Sequence, residues 1–388
     1  MFVRTFCVGT IVLAGLSAAT IRCAYAEDPL PRPDVVQHSD LSKYIADDGK
    51  VQPIQSAADW WLRRRQIIAG AELAMGPIPP ADTPSAFETE VTEDVRLGDV
   101  RRLTLRIAVD DSDRLPLDLY LPGSVADRVD ASDWMNAITS NKLAAVVALH
   151  PTGAEGKRIV AGEGRRPGRQ YAIELARRGY VVIAPDYPSF GEYTDYDFTS
   201  DGFESGTMKG IWNHRRCVDF LSMLPFVDSD RIGAIGHSLG GHNAIFLGVF
   251  DQRIKVVVSS CGWCPFHDYY DGKIKGWASD RYMPRLRDDF QLDPDKVPFD
   301  FYELIAALAP RTFVSASPIR DSNFDVDGVR KAVPVAATIY SLLDAPDELI
   351  LLTPDCEHDF PTEVRFKTYA VIDRVLQHEP TRFELSNQ

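Results

Sequence analysis

Six short, largely apolar runs recur through this chain and constrain its fold more than any other feature. They are Ala144 to Leu149, Tyr180 to Ala184, Arg231 to Ile235, Ile254 to Val258, Thr312 to Ala316 and Leu349 to Leu352. Runs this short and this continuous predict strands covered on both faces. Between them lie stretches with helical character: Gln170 to Arg178, Thr207 to Leu224, Gly241 to Leu247, Val329 to Leu343 and Val364 to Gln377. Alternation of this kind predicts an α/β chain with a mostly parallel, doubly wound sheet and helices on both faces. Three extended segments come first, Glu88 to Val95, Val100 to Val109 and Leu115 to Leu121. From Arg102 to Ile107 charged and apolar residues alternate, the period of a half-buried antiparallel strand.

The chain's 388 residues can hold one large or two modest domains. A net charge of -14, with basic clusters no larger than Arg63-Arg64-Arg65 and Arg165-Arg166, argues against nucleic acid as a partner. Residues 1–26 read as a signal peptide: Arg4 is the positive start, Phe6 to Ala19 the apolar stretch, and Ala24-Tyr25-Ala26 the cleavage site. That stretch is short of the ~20 residues of a membrane span, so a periplasmic or secreted product without stable membrane insertion is expected. Residues 27–87 form an N-terminal arm and helix. The arm is Pro- and Asp-rich to about residue 55, and the helix runs from Ala57 to Met75 before Gly76-Pro77 and Pro79-Pro80. Its expected buried face carries Trp60, Trp61, Ile67, Ile68 and Leu73. Residues 88–388 are expected to form the α/β domain, interrupted at about 262–309 by an insertion rich in Trp, Tyr, Phe and Asp.

The chemistry begins at Gly236-His237-Ser238-Leu239-Gly240, a G-x-S-x-G between an expected strand and an expected helix. Glycines permit the sharp turn, and the serine is lifted to the start of a helix. A serine hydroxyl needs a base, and the base needs an orienting acid. His358 follows the last strand, in Thr353-Pro354-Asp355-Cys356-Glu357-His358, and is the expected base. His378, His38, His214, His242 and His267 are placed less suitably, and His237 should point away from the hydroxyl. Asp321 follows the strand ending at Ala316 and is the expected acid, with Asp325 its main competitor and Asp327 suited to capping a helix. For the oxyanion hole, the Leu239 amide supplies one N–H. Thr152, with Gly153 as fallback, supplies the other from His150-Pro151-Thr152-Gly153, because Pro151 has none.

The elbow, the Ser-Asp-His order, and Ala176-Arg177-Arg178-Gly179-Tyr180-Val181-Val182 leading to Ala184-Pro185-Asp186 resemble the α/β-hydrolase superfamily over roughly residues 88 to 380. The Trp-rich helix and Met75-Gly76-Pro77 are similar to exported bacterial hydrolases related to acetyl xylan esterases, glucuronoyl esterases and dienelactone hydrolases. The resemblance implies an α/β-hydrolase fold and a serine esterase acting on a carbohydrate or other small ester, an acetylated sugar among them, with no cofactor and no metal. The elbow departs from the glucuronoyl pattern G-C-S-R-x-G-K, since Leu239 and His242 stand where that pattern has Arg and Lys. Serine at 238 departs from the dienelactone hydrolases, which use cysteine.

In the insertion, Trp263, Phe266, Tyr270 and Trp277, with Tyr269 and Tyr282 beside them, are candidate substrate-binding residues, with core packing the competing role. Cys261-Gly262-Trp263-Cys264 resembles a thioredoxin dithiol, but it follows a strand where such a motif opens a helix. Of four cysteines beyond the signal segment, the sequence selects no pairing. A peptidase or amidase on the same fold is the alternative activity, and a non-catalytic binding protein is a third.

Overall fold

The computed structural model describes residues 37–78, 87–129, 141–199 and 202–381. The expected signal peptide lies outside them. The described chain opens with a hairpin, β1 (Lys43–Ile45) paired antiparallel with β2 (Val51–Pro53). Helix α1 covers Ala57–Met75, capped by the Ser56 hydroxyl, which accepts from the Asp59 amide. Its buried stripe includes Trp60, Arg63, Arg64, Ile67, Ala71 and Ala74, spaced three or four residues apart except for the adjacent arginines. Trp61 and Leu73 lie off that stripe and are exposed, contrary to expectation, and Ile68 is half-buried. Two arginines do what apolar residues cannot: Arg63 pairs with Glu303 at 2.5 Å, while Arg64 donates to the Ala307 and Val249 carbonyls.

An antiparallel meander follows, β3 (Thr89–Leu97), β4 (Val100–Ala108) and β5 (Arg114–Leu121), then the short turn α2 (Gly123–Ala126). Leu103, Leu105 and Ile107 of β4 are buried as their alternation predicts. Arg102 is buried too, because Glu93 and Glu163 neutralise it. The alternating part is β6 (Leu143–Leu149), α3 (Tyr171–Arg177), β7 (Val181–Pro185), α4 (Gly206–Met223), β8 (Val227–His237), α5 (Leu239–Phe250) and β9 (Ile254–Ser260). The short helices α6 (Arg285–Asp288) and α7 (Phe301–Ala306) lie in the insertion. Last come β10 (Thr312–Ala316), α8 (Val326–Leu342), β11 (Leu349–Leu352) and α9 (Thr362–Val375).

Nine strands make one sheet in the order β11-β10-β9-β8-β6-β7-β5-β4-β3. From β11 to β7 every pairing is parallel. The continuous apolar runs serve two faces at once. Ala145, Val147 and Leu149 of β6 join the cluster packed on α4, α5 and α8, while Ala144, Val146 and Ala148 join the one packed on α3 and α9. Each fully buried aliphatic side chain contributes roughly 1.5–3 kcal/mol, so both faces of every central strand hold the layers together. Among the described residues, no helix is long and apolar enough to cross a membrane.

The arm is tied to the insertion by His38. Its Nδ1 meets the Glu303 carboxylate at 2.8 Å and its Nε2 the Val297 carbonyl at 2.9 Å. Both partners only accept, so both ring nitrogens donate, which is the charged form. Burial opposes that charge, but the Glu303 hydrogen bond and charge, Asp300 and the Val297 carbonyl together raise the His38 pKa above 6.5. Burial likewise pushes Asp300 up to about 7, against the pull of His38 and the Phe301 and Phe266 amides. A raised histidine stabilises the fold below its unfolded pKa, and that contribution disappears as pH rises through the folded value. His38→Gln should therefore cost most stability below pH ~6.5 and progressively less above the raised value. Thermal unfolding of both proteins across that range measures the gap. A gap independent of pH would mean that His38 is neutral in the fold.

Candidate active site

Three strand ends carry the expected reacting groups. Ser238 sits between β8 and α5 with φ +55° and ψ -118°, a conformation L-residues rarely hold. Its glycine neighbours make room for it. A Cβ on Gly236 would meet the Gly240 carbonyl at 2.0 Å, and one on Gly240 the Leu149 carbonyl at 1.9 Å. The Ser238 amide donates to the Ser260 carbonyl at 2.8 Å, locking the elbow onto the end of β9.

His358, beyond β11, places Nε2 at 2.9 Å from the Ser238 hydroxyl oxygen. Its Nδ1 lies 2.9 and 3.0 Å from the two Asp321 carboxylate oxygens. A carboxylate only accepts, so Nδ1 carries the hydrogen and the neutral ring offers its Nε2 lone pair to the serine. The Asp321 carboxylate is 1% exposed and also accepts from the Asn323 and Phe324 amides, which fixes its orientation. Asp325, its competitor, is instead the N-cap of α8, accepting from the Asp327 amide. The capping role expected of Asp327 thus falls to Asp325, two residues earlier. The loops carrying the acid and base are stitched together: the Ile319 amide donates to the Pro354 carbonyl, and the Arg320 amide to that of Cys356.

His237 points below the elbow, where Nδ1 shares a hydrogen bond with the Ser260 hydroxyl and the ring stacks on Phe360. Burial, with Arg169, His358 and Arg166 nearby, holds its pKa well below the ordinary value. Leu239 is the first residue of α5, so its N–H has no intrahelical acceptor and is free for an oxyanion. Thr152, the other expected donor, lines a cleft of about 380 Å³ together with Gly153, Ser238 and His358. His150 shapes that loop: Nε2 accepts from the Tyr187 amide, and Nδ1 meets the Pro151 carbonyl at 2.7 Å.

Lys157 anchors the same wall. It is buried, and its ammonium lies 2.6 Å from Asp186 and 2.7 Å from Glu192. Asp186 also accepts the Lys157 and Glu192 amides. A further basic group sits on the cleft, Arg165, Arg166 and Arg169. The sequence shows this cluster as Arg-Arg-Pro-Gly-Arg, but its size alone did not connect it to the serine 70 residues on. Arg169 pairs with Asp359 and donates to the His358 carbonyl, so it also holds the base's backbone.

The aromatic residues of the insertion are placed differently from expectation. Trp263, Phe266 and Trp277 are buried in the main core, Trp263 with its indole N–H on the Ser315 hydroxyl. Tyr269 joins that core, and Tyr270 projects outward, 51% exposed. None of these lines the cleft described above. Trp277 packs on Phe324, whose ring lies 6.1 Å from His358, so the insertion supports the base from behind. Tyr282 is half-buried against Tyr187, Phe190 and Leu239.

Cys217, Cys261, Cys264 and Cys356 are all free thiols. Burial, then the nearby Asp321 charge, push the Cys261 thiol far up, and burial does the same to Cys264, so neither is an activated redox thiolate. Cys261, Asp321 and His358 bring one potential ligand atom each within 4.8 Å of the others. A cation bound there would compete for the Nδ1 and carboxylate that already bond each other.

Residues 146–381 match the model of the alpha/beta hydrolase family. The chain belongs to that family. Among relatives of this hydrolase, the 4-O-methyl-glucuronoyl methylesterase 1 of Wolfiporia cocos is 22% identical over 92% of this chain and 82% of its own. A glucuronoyl esterase from Solibacter usitatus superposes with a TM-score of 0.65 at 20% identity, covering 88% of this chain and 99% of its own. An acetyl xylan esterase from Paenibacillus sp. R4 gives 0.52 at 17% identity, covering 84% and 96%.

The buried Lys157 salt bridge yields a test of how the hydrolase holds its cleft wall. Removing one partner of such a pair strands the other charge, a cost of about 3–5 kcal/mol. Lys157→Met, which keeps the volume, should lower the unfolding free energy by that amount in urea titrations. An unchanged midpoint would show the pair to be dispensable.

Proposed function

We propose that this chain is an exported serine esterase, periplasmic or secreted, that cleaves a carboxylic ester of a carbohydrate or a similar small molecule. One observation carries the reading: an unbroken hydrogen-bonded series from the Ser238 hydroxyl through His358 to Asp321, opening on a cleft. The carbohydrate assignment draws on the esterases to which the chain is similar. The elbow's Leu239 and His242, where the glucuronoyl pattern has Arg and Lys, favour another ester, such as an acetylated sugar.

In the proposed mechanism Ser238 Oγ attacks the acyl carbonyl while His358 Nε2 takes its proton. Asp321 keeps Nδ1 protonated and stabilises the imidazolium without accepting its proton. The developing oxyanion is met by the Leu239 N–H and the Thr152 N–H. His358 then protonates the departing alcohol, and the acyl group stays on Ser238. Water then attacks the acyl carbonyl while His358 Nε2 takes its proton, and the tetrahedral intermediate collapses by breaking the bond to Ser238 Oγ, which recovers the proton from His358 as the carboxylic acid leaves.

Ser238→Ala should reduce kcat on 4-nitrophenyl acetate by about a million-fold, and Asp321→Asn by about 10,000-fold, with KM little changed. Asp325→Asn should leave turnover near wild type, because its carboxylate caps α8. A Ser238→Ala protein that hydrolyses the ester at the wild-type rate would overturn the reading, and so would an inert Asp325→Asn protein beside an active Asp321→Asn one.

A further inference from the structure

We propose that the catalytic cleft selects esters that carry a carboxylate close to the scissile bond, with Arg166 as the residue that reads it. The proposal rests on the esterase reading and names the substrate class of that site. Four charged side chains line the cleft: Glu155, Arg165, Arg166 and Arg169. Their bookkeeping leaves a surplus. Arg165 is 3.2 Å from Glu155, and Arg169 is paired with Asp359 and bonded to the His358 carbonyl. Arg166 makes no ion pair among the described residues. It is exposed beside Ser238 and His358, within electrostatic range of His237 on the cleft floor.

The surplus stands out against its surroundings. The chain as a whole carries -14, a field that repels anionic solutes, yet the walls of this cleft are net positive. A charge facing a concave, partly desolvated site acts on a bound anion more strongly than on one in bulk water. A guanidinium also offers a planar fork that matches a carboxylate with two parallel hydrogen bonds. Arg165-Arg166-Pro167-Gly168-Arg169 sits on the connection between β6 and α3, where loop residues change specificity without disturbing the sheet.

The test separates recognition from chemistry. Ser238→Ala protein, which binds but does not turn over, is titrated with monomethyl succinate and with dimethyl succinate, one anionic and one neutral ester of the same skeleton. The monoanion is expected to bind about fivefold tighter, the upper end for an exposed ion pair. Raising salt from about 20 mM to about 500 mM should erase that preference by screening. Arg166→Gln in the Ser238→Ala background should abolish it, and Arg166→Lys should keep part of it. Equal binding of the two esters, or a preference untouched by Arg166→Gln, overturns the inference. Hydrolysis of neutral 4-nitrophenyl acetate by the wild-type chain, and its loss in the Ser238→Ala protein, reports on the esterase reading alone, so a failure of that reading is distinguishable from a failure of this one.

Discussion

Three backbone hydrogen bonds just past the strand ends set the geometry on which the site depends. The Ser238 amide donates to the Ser260 carbonyl, the Cys261 amide to Ala316, and the Ser317 amide to Leu352, at 2.8, 2.9 and 2.8 Å. In each, the first residue beyond one strand bonds the last residue of the next, across β8, β9, β10 and β11 in turn. The parallel ladder therefore continues past the regular strands and fixes the relative height of four chain exits. Ser238, Asp321 and His358, the proposed nucleophile, acid and base, follow three of them. A one-residue slip in any pairing would move its exit by ~3.3 Å, more than a hydrogen bond tolerates.

Around that frame, buried charge is used where backbone irregularity demands it. The loop that follows β6 has Pro151 and a positive-φ glycine at 156, where a short 3-10 turn, Gly156–Ala161, begins. Lys157 and Asp186 tie that turn to the end of β7, with Asp186 accepting two amides as well as the ammonium. Arg63, Glu303 and His38 do the same between the arm, α1 and the insertion. Such pairs add little net stability over apolar packing, but losing one member is costly, so they specify one arrangement of the loops.

The sheet and the grouping of Ser238, His358 and Asp321 were legible in the sequence because both follow from one-dimensional patterns. Strands buried on two faces must be continuously apolar, and an elbow must have small residues at 236 and 240 where backbone approaches within 2 Å of any added Cβ. Helix α1 was read to its last residue, yet its buried stripe was not: Arg63 and Arg64 are inside and Trp61 is outside. A stripe is decided by phase, and paired arginines can occupy positions that hydropathy would deny them. The aromatic insertion illustrates the same ambiguity. Trp263, Phe266 and Trp277 have the composition of a binding surface, but their rings pack into the main core and fasten the insertion to it. Asp325 and Asp327 are two residues apart, closer than a helix boundary can be read from residue types.

The reaction is easier to read than the substrate for a topological reason. Catalysis needs three groups at strand exits, and the order of strands in the sheet allows few ways to supply them. The cleft wall is built largely from the β6–α3 connection, whose residues answer to no strand ladder. Arg165, Arg166 and Arg169 occupy that connection, about 70 residues ahead of Ser238 in the chain and beside it in space. Their meaning depends on which carboxylates reach them, and those, Glu155 and Asp359, come from opposite ends of the domain. A charge left over after such pairing is a property of the folded cleft, invisible in composition.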